Sequence, residues 1–439
     1  MYKKNSQNLL QFLKKSPTAF HAVENMRQEL LDNGYQELLE SEHWHIEGNQ
    51  KYFVTRNQSS IIAFHTGDTL NNYSFHIVSS HSDSPTFKIK ENSELQVNNQ
   101  YMKLNVEPYG GMLCATWFDK PLSIAGRVLV KKDNQFIPTL LNFDRDLVLI
   151  PNVAIHMNRG VNDGYAYNQQ VDMLPLFGGN ECQSGDFRKL IAEELNVKVE
   201  VIYGTDLYLY NRTDPTIWGV NEEFISSGRI DDLQCAYTSL QAFLNSYNKE
   251  NINVFACFDN EEVGSQSKQG AGSTLLFDVL KRINLSLNKT EEDFYCALAS
   301  SFMVSADNAH AVHPNHPELT DTKNCVYMNE GIVIKSHAGQ KYTSDATSVA
   351  IFKSICESVN VPLQFFANRS DKLGGSTLGN IAMSQVSMNS VDIGLPQLAM
   401  HSSYETAGIK DTYYMIQALT KFYNCHIEEI DNHVLKVVQ

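Results

Sequence analysis

Two adjacent glutamates, Glu261 and Glu262, stand in the segment Phe258-Asp259-Asn260-Glu261-Glu262-Val263-Gly264-Ser265, directly after the apolar run Ile252 to Phe258. The run reads as a buried strand, so both carboxylates sit just past its end. Neighbouring acidic side chains at the mouth of a sheet repel each other and resist desolvation, and something positive normally compensates. A metal ion held by one carboxylate, with the other free to take a proton from an activated water, is a common solution.

Other candidate ligands occupy comparable places. His81 follows the apolar run Ser74 to Ser80, Asp231 lies in Arg229-Ile230-Asp231-Asp232 before a helical pattern, Asp307 closes Ser305-Ala306-Asp307, and His401 follows the run Val391 to Leu395. Two histidines and three carboxylates, one of them shared, make two sites with three protein ligands each. That is the open coordination of a catalytic zinc pair. In His81-Ser82-Asp83, residues two apart leave the strand pointing the same way, so Asp83 can hold the far imidazole nitrogen of His81. Taken singly, each signal is weak. A lone histidine is commonly a surface or core residue, Asp231 or Asp232 can be only a helix N-cap, and a glutamate pair can be a solvated face. Capping and solvation do not explain one such residue at the end of each of several strands. The stretch His310-Ala311-Val312-His313-Pro314-Asn315-His316 suggests a metal cluster, but Pro314 and Pro317 break any helix that would align the rings. His310 alone, three residues past Asp307, is near enough to act on a substrate.

The elements that must position these residues alternate. Ser16-Pro17 reads as an N-cap with proline at the first helical position, followed by Phe20, Val23, Met26 and Leu30 at helical spacing. Tyr52 and Val54, then Ile61 and Ala63, flank a polar turn and predict a hairpin. From about Thr86 to Ile217 the pattern becomes short alternating segments broken by turns such as Pro108-Tyr109-Gly110-Gly111, with only Phe187 to Leu195 helical. After Trp218, helical patterns at 233–244, 346–356 and 415–422 alternate with strands at 252–258, 302–305 and 363–367. The expected architecture is α/β: a mixed sheet flanked by helices, formed by residues 1–85 and 218–439 and interrupted by a β-rich insertion at 86–217. Active sites of open α/β sheets lie beyond the carboxyl ends of the strands, where the candidate ligands fall.

The 439 residues carry a formal net charge of −15, so no basic surplus exists to neutralise phosphates and nucleic acid is not an expected partner. No apolar run reaches the length of a membrane span, and no signal peptide is visible at the N-terminus. The eight cysteines are scattered singly, several inside apolar segments (Cys257, Cys356), and read as reduced core residues of a cytoplasmic protein.

These motifs together resemble those of the aspartyl aminopeptidases, dinuclear zinc exopeptidases. His81-Ser82-Asp83-Ser84-Pro85 resembles the family's His-[Ser/Thr]-Asp-Ser-Pro, and Arg229-Ile230-Asp231-Asp232-Leu233 its Arg-Leu-Asp-Asn-Leu. Glu261-Glu262-Val263-Gly264-Ser265 matches, as do Ser305-Ala306-Asp307, Gly331 to Lys335, Gly375-Ser376-Thr377 and Ala399-Met400-His401-Ser402. The resemblance covers nearly the whole chain. It implies two Zn2+ ions per subunit, with Co2+ or Mn2+ able to substitute. His81, Asp231 and Asp307 would bind one, and Asp231, Glu262 and His401 the other, with Asp231 bridging. It implies Glu261 as general base and acid, Asp83 as the group orienting His81, and His310, Lys335 and Tyr342 as contacts to peptide substrates. It implies that His156 reaches a neighbouring subunit's site, that the insertion is a dimerisation domain, and that dimers assemble into a tetrahedral dodecamer. Departures lie near the expected substrate pocket. Leu373-Gly374 stands where Pro-Cys or Gly-Cys is usual, Lys372 precedes it, Asn380 replaces a proline, and Ser403-Tyr404-Glu405 replaces an Ile-Arg-Glu-like run. They bear on substrate preference, expected to be acidic N-terminal residues, more than on the chemistry. A co-catalytic zinc hydrolase of other bond preference, such as a neutral or basic aminopeptidase, a carboxypeptidase or an amide deacylase, is the nearest alternative. A non-catalytic oligomeric scaffold would lack a ligand or the base, and none is missing.

Overall fold

A computed structural model describes residues 1–431 and 434–438. Its centre is a nine-stranded mixed sheet. In spatial order the strands are Gln36–Glu37, Lys51–Arg56, Ser60–His65, Ile252–Phe258, Phe75–His81, Phe302–Ala306, Asn389–Gly394, Ile332–Lys335 and Leu363–Phe366. The expected hairpin is present, with Tyr52 opposite Phe64 and Val54 opposite Ile62. Ile252–Phe258, Phe75–His81, Phe302–Ala306 and Asn389–Gly394 run parallel to one another in the middle of the sheet. Strands covered on both faces should be apolar throughout, and all seven residues of Ile252–Phe258 are buried.

Side chains alternate between two cores. Phe255 and Cys257 pack with the helices Tyr2–Lys15, Ala19–Asp32, Ile230–Leu244, Ala346–Ser358 and Asp411–Asn424. Ile252, Val254, Ala256 and Phe258 face the helices Leu275–Ser286, Glu291–Ala299 and Leu378–Met383. The sheet is thus a middle layer between two helical layers, the arrangement the alternating pattern predicts.

A six-stranded antiparallel sheet, formed by chain between Thr86 and Asn211, has its own core. Phe87, Leu104, Trp117, Ile124 and Leu207 pack there with Phe187 and Ile191 of the helix Asp186–Glu194. The strand Thr216–Trp218 does not join that sheet. It pairs with Phe224–Ser227 in a five-stranded sheet that also contains Glu405–Gly408, Pro396–Leu398 and Ala309–His310. The boundary expected at residue 217 therefore falls inside a strand.

The N-terminal region differs from expectation. The second helix begins at Ala19 with Thr18 as N-cap, because Ser16 already closes the preceding helix Tyr2–Lys15 and its carbonyl accepts from Arg229 Nε at 2.9 Å. All eight cysteines are free thiols; only Cys235, Cys257, Cys356 and Cys425 are buried, and Cys296 is exposed, so the core reading holds for half of them. No helix among the described residues is long and apolar enough to cross a membrane.

Candidate metal centre

The strand ends deliver the side chains. His81 is the last residue of Phe75–His81, Glu261 and Glu262 open the single turn after Ile252–Phe258, and Asp307 follows Phe302–Ala306. Parallel pairing puts these ends side by side, with His81 in register with Phe258. Asp231 and Asp232 lie in the first turn of Ile230–Leu244 but with non-helical dihedrals, φ −78°, ψ 116° and φ −112°, ψ 18°. Neither caps that helix; both face His81. His401 comes from the turn after Pro396–Leu398, with φ +67°.

The Asp231 carboxylate lies between the two histidines. Its Oδ1 is 3.8 Å from His81 Nε2 and its Oδ2 is 3.3 Å from His401 Nε2. Glu262 Oε2 is also 3.3 Å from His401 Nε2. The resulting groups are His81, Asp231 and Asp307, which Asp232 joins, and Asp231, Glu262 and His401; within each, ligand atoms lie within 4.8 Å of one another. His81, Glu261 and Glu262 form a third such group.

The supports are as ordered as the cluster. His81 Nδ1 is 3.3 Å from Asp83 Oδ1 and 3.1 Å from the Asp83 carbonyl, as the His-x-Asp spacing predicts. Asp83 also accepts the backbone N–H groups of Glu261 at 3.1 Å and Glu262 at 3.2 Å. Asp232 Oδ2 accepts the His81 N–H at 3.0 Å. Glu405 accepts the N–H of Asp231 at 3.1 Å and that of His401 at 2.7 Å. Sequence reasoning missed Asp232 and Glu405. Glu405 stands in a run noted only as a departure, and the glutamate at its end was the available signal.

A cleft of about 570 Å3 opens over the cluster, lined also by His310, Lys335, Tyr342, Phe366, Thr377 and Met400. His310 is exposed to it. Lys335 is buried and largely occupied: its Nζ donates to the carbonyls of Asp307 at 2.8 Å and Asn308 at 3.2 Å, and lies 3.8 Å from Asp307 Oδ2. Two of its three N–H groups are taken up by those carbonyls, with the Asp307 carboxylate close by. His156 lies on an exposed turn and is not among the residues lining the cleft of its own chain. Lys372 is exposed on a loop outside the lining. His313 and His316 face each other at 5.3 Å between ring centroids, and neither belongs to a ligand group among the described residues.

The profile of the family described as Aminopeptidase I zinc metalloprotease (M18) matches residues 12–423. The chain belongs to the M18 family.

This M18 chain is 46% identical over 427 residues to a protein of Clostridium novyi (strain NT) described as a probable M18 family aminopeptidase 2, covering 96% of this chain and 99% of that one. It is similar to the solved structure of the Ape4 and Nbr1 complex, with a TM-score of 0.92, 34% identity and coverage of 96% of this chain and 86% of that chain. It is also similar to the S. cerevisiae mApe1 dodecamer, with a TM-score of 0.84, 25% identity and coverage of 96% and 97%. The protein is a zinc-dependent aminopeptidase, a hydrolase of peptide bonds.

The M18 cluster fits such an ion chemically. Asp231 Oδ1, Asp232 Oδ1 and Glu262 Oε1 are buried without a hydrogen-bond partner among the described residues, a costly state for a carboxylate oxygen. Burial, followed by the nearby Asp231 charge, holds the Glu262 pKa well above the ordinary carboxylate range. Burial likewise pushes Glu261 up to about 8 and Asp307 up to about 6. Buried carboxylates in this condition hold either protons or a cation. Imidazole nitrogen and carboxylate oxygen, three donors to a group, are zinc ligands.

Proposed function

We propose that this chain releases N-terminal amino acids from peptides, preferring aspartate or glutamate, with two zinc ions per subunit. One would be held by His81, Asp231 and Asp307, the other by Asp231, Glu262 and His401, and Co2+ or Mn2+ would substitute. The observation that carries the reading is Asp231, whose two carboxylate oxygens face different histidines at 3.8 and 3.3 Å. When bound, the ions would supply Lewis-acid polarisation of the scissile carbonyl and acidify the attacking water.

The chain's own residues would do the rest. Glu261 takes the proton of the attacking water and delivers it to the leaving amine. Asp83 orients His81 and, by accepting the Glu261 N–H, fixes the base beside it. Lys335 holds Asp307 in place through its backbone and carboxylate. His310 and Tyr342, both on the cleft wall, steady the developing oxyanion.

The acidic preference rests on the family resemblance and on the Lys335 ammonium, which lines the cleft and has one N–H not given to a carbonyl. A charge-assisted bond from a desolvated lysine to a substrate carboxylate contributes about 1.5–3 kcal/mol, roughly ten- to hundredfold in kcat/KM. The β-rich insertion at 86–217 would make dimer contacts, and the dimers would assemble into a tetrahedral dodecamer; the dodecameric mApe1 structure supports the homo-oligomer. Free thiols support a cytoplasmic location.

The test is kcat/KM of the zinc-loaded enzyme on Asp-, Glu-, Leu- and Lys-aminoacyl substrates. Asp and Glu are expected to lead. A Leu or Lys substrate favoured by about tenfold, a difference of about 1.4 kcal/mol, would overturn the acidic preference and leave the aminopeptidase standing.

A further inference from the structure

The turn Pro108-Tyr109-Gly110-Gly111 leaves the strand Tyr101–Tyr109 of the six-stranded sheet. In sequence it is an ordinary turn. In the fold it reaches across and touches the ligand cluster at several points. Tyr109 Oη donates to Asp83 Oδ2 at 2.7 Å and accepts from Asn260 Nδ2 at 2.7 Å. Gly110, with φ +75°, lies so close to Glu262 that an added Cβ would stand 3.1 Å from the Glu262 Cβ. The Gly111 carbonyl accepts from His401 Nδ1 at 2.8 Å, and the Leu113 N–H donates to the His401 carbonyl at 2.9 Å.

We propose that this turn positions the ligands of both zinc groups, with Tyr109 as a positioning residue, so that zinc binding and the seating of the six-stranded sheet against the site are energetically linked. The inference rests on the ligand assignment above. A hydrogen bond from His401 Nδ1 to a carbonyl fixes the tautomer that leaves Nε2 free to bind an ion, and Nε2 is the atom aimed at Asp231 and Glu262. The same turn acts on His81 through Asp83, whose carboxylate gathers His81, the Glu261 and Glu262 N–H groups and the Tyr109 hydroxyl. The tight approach of Gly110 to Glu262 and its φ of +75° both favour a glycine at this contact. Linkage is reciprocal: if the seated turn raises zinc affinity, bound zinc holds the turn seated by the same factor.

The test uses the full chain. Tyr109→Phe removes one oxygen, and its zinc affinity, measured by chelator competition, is expected to fall about ten- to hundredfold while the metal-free protein still unfolds in one cooperative melting transition. In the wild type, hydrogen exchange at 108–113 is expected to slow when zinc is added; this experiment decides alone should the variant fail to fold. Wild-type zinc affinity in Tyr109→Phe, or exchange at 108–113 indifferent to zinc, overturns the inference. His401→Ala separates the two readings. If it loses zinc and Tyr109→Phe does not, only the positioning role falls. If His401→Ala also binds zinc as the wild type does, the ligand assignment fails and the inference with it.

Discussion

The backbone N–H of Glu261 donates to Asp83 Oδ1 at 3.1 Å, so the proposed base hangs from the carboxylate that orients His81. The tether uses the main chain and leaves the Glu261 side chain free to move a proton. Glu261→Gln keeps this bond and the side-chain volume. Hydrolysis is expected to fall by at least ~10²-fold with zinc content intact. Near-normal turnover in a variant holding its full zinc complement would remove Glu261 from the mechanism.

In the proposed zinc assignment Asp231 serves both ions, whereas Glu262 and His401 serve one each; its two carboxylate oxygens face different histidines. After dialysis, Asp231→Asn is expected to retain less zinc than Glu262→Gln or His401→Ala, by metal analysis. Asp232→Asn is expected to lose less than Asp231→Asn, because Asp232 Oδ2 is already engaged by the His81 N–H at 3.0 Å. The reverse order for the two neighbours would exchange their roles.

His156 sits on an exposed turn outside its own cleft, beside exposed Val153, Ile155 and Met157. Apolar residues displayed together on a loop suit a subunit contact. Coexpressing Glu261→Gln with His156→Ala subunits, each inactive alone, is expected to restore part of the activity. No recovery in verified hetero-oligomers would count against a shared site.

Acid sensitivity has a definite contributor in His65. It is buried in Ser60–His65 against the Phe243 ring, its Nε2 has no hydrogen-bond partner among the described residues, and burial, then Lys51, lowers its pKa from 6.5 to about 4. Between those values the unfolded chain carries a proton that the folded chain refuses. This stability is complete above pH 6.5 and is lost as pH falls toward 4, by about 3 kcal/mol at most. His65→Phe keeps the ring, so its melting temperature is expected to fall less steeply than the wild type's between pH 7 and about 4.5. Parallel melting curves would show that His65 contributes nothing.

The helices and strands that carry the ligands were legible because burial on one or two faces imposes a period. Ile252–Phe258 is apolar except for Asn253 since both faces are covered, and Phe20, Val23, Met26 and Leu30 repeat because one helix face meets the core. Helix starts were less legible: Ser16 has the chemistry of an N-cap but serves as the end of the previous helix.

For the site, the sequence determined that His81, Asp83, Glu261, Glu262 and Asp307 lie at or just past strand ends, Asp231 at the start of a helix and His401 in a turn, and the structure brings these side chains into one cluster. These are legible because a short reach from a fixed strand end to a shared ion demands particular side chains at particular places. The tertiary structure alone decided what surrounds them. Asp232 looked like a cap and faces His81; Lys335, expected to meet the substrate, is tied to the Asp307 and Asn308 carbonyls. Glu405 gathers the N–H groups of Asp231 and His401 from a strand in another sheet, and Gly111 takes the His401 ring N–H across 290 residues of sequence. Such contacts leave no period, since a carbonyl or a single N–H partner can be offered by almost any residue and only the packing of separate sheets brings it within 3 Å.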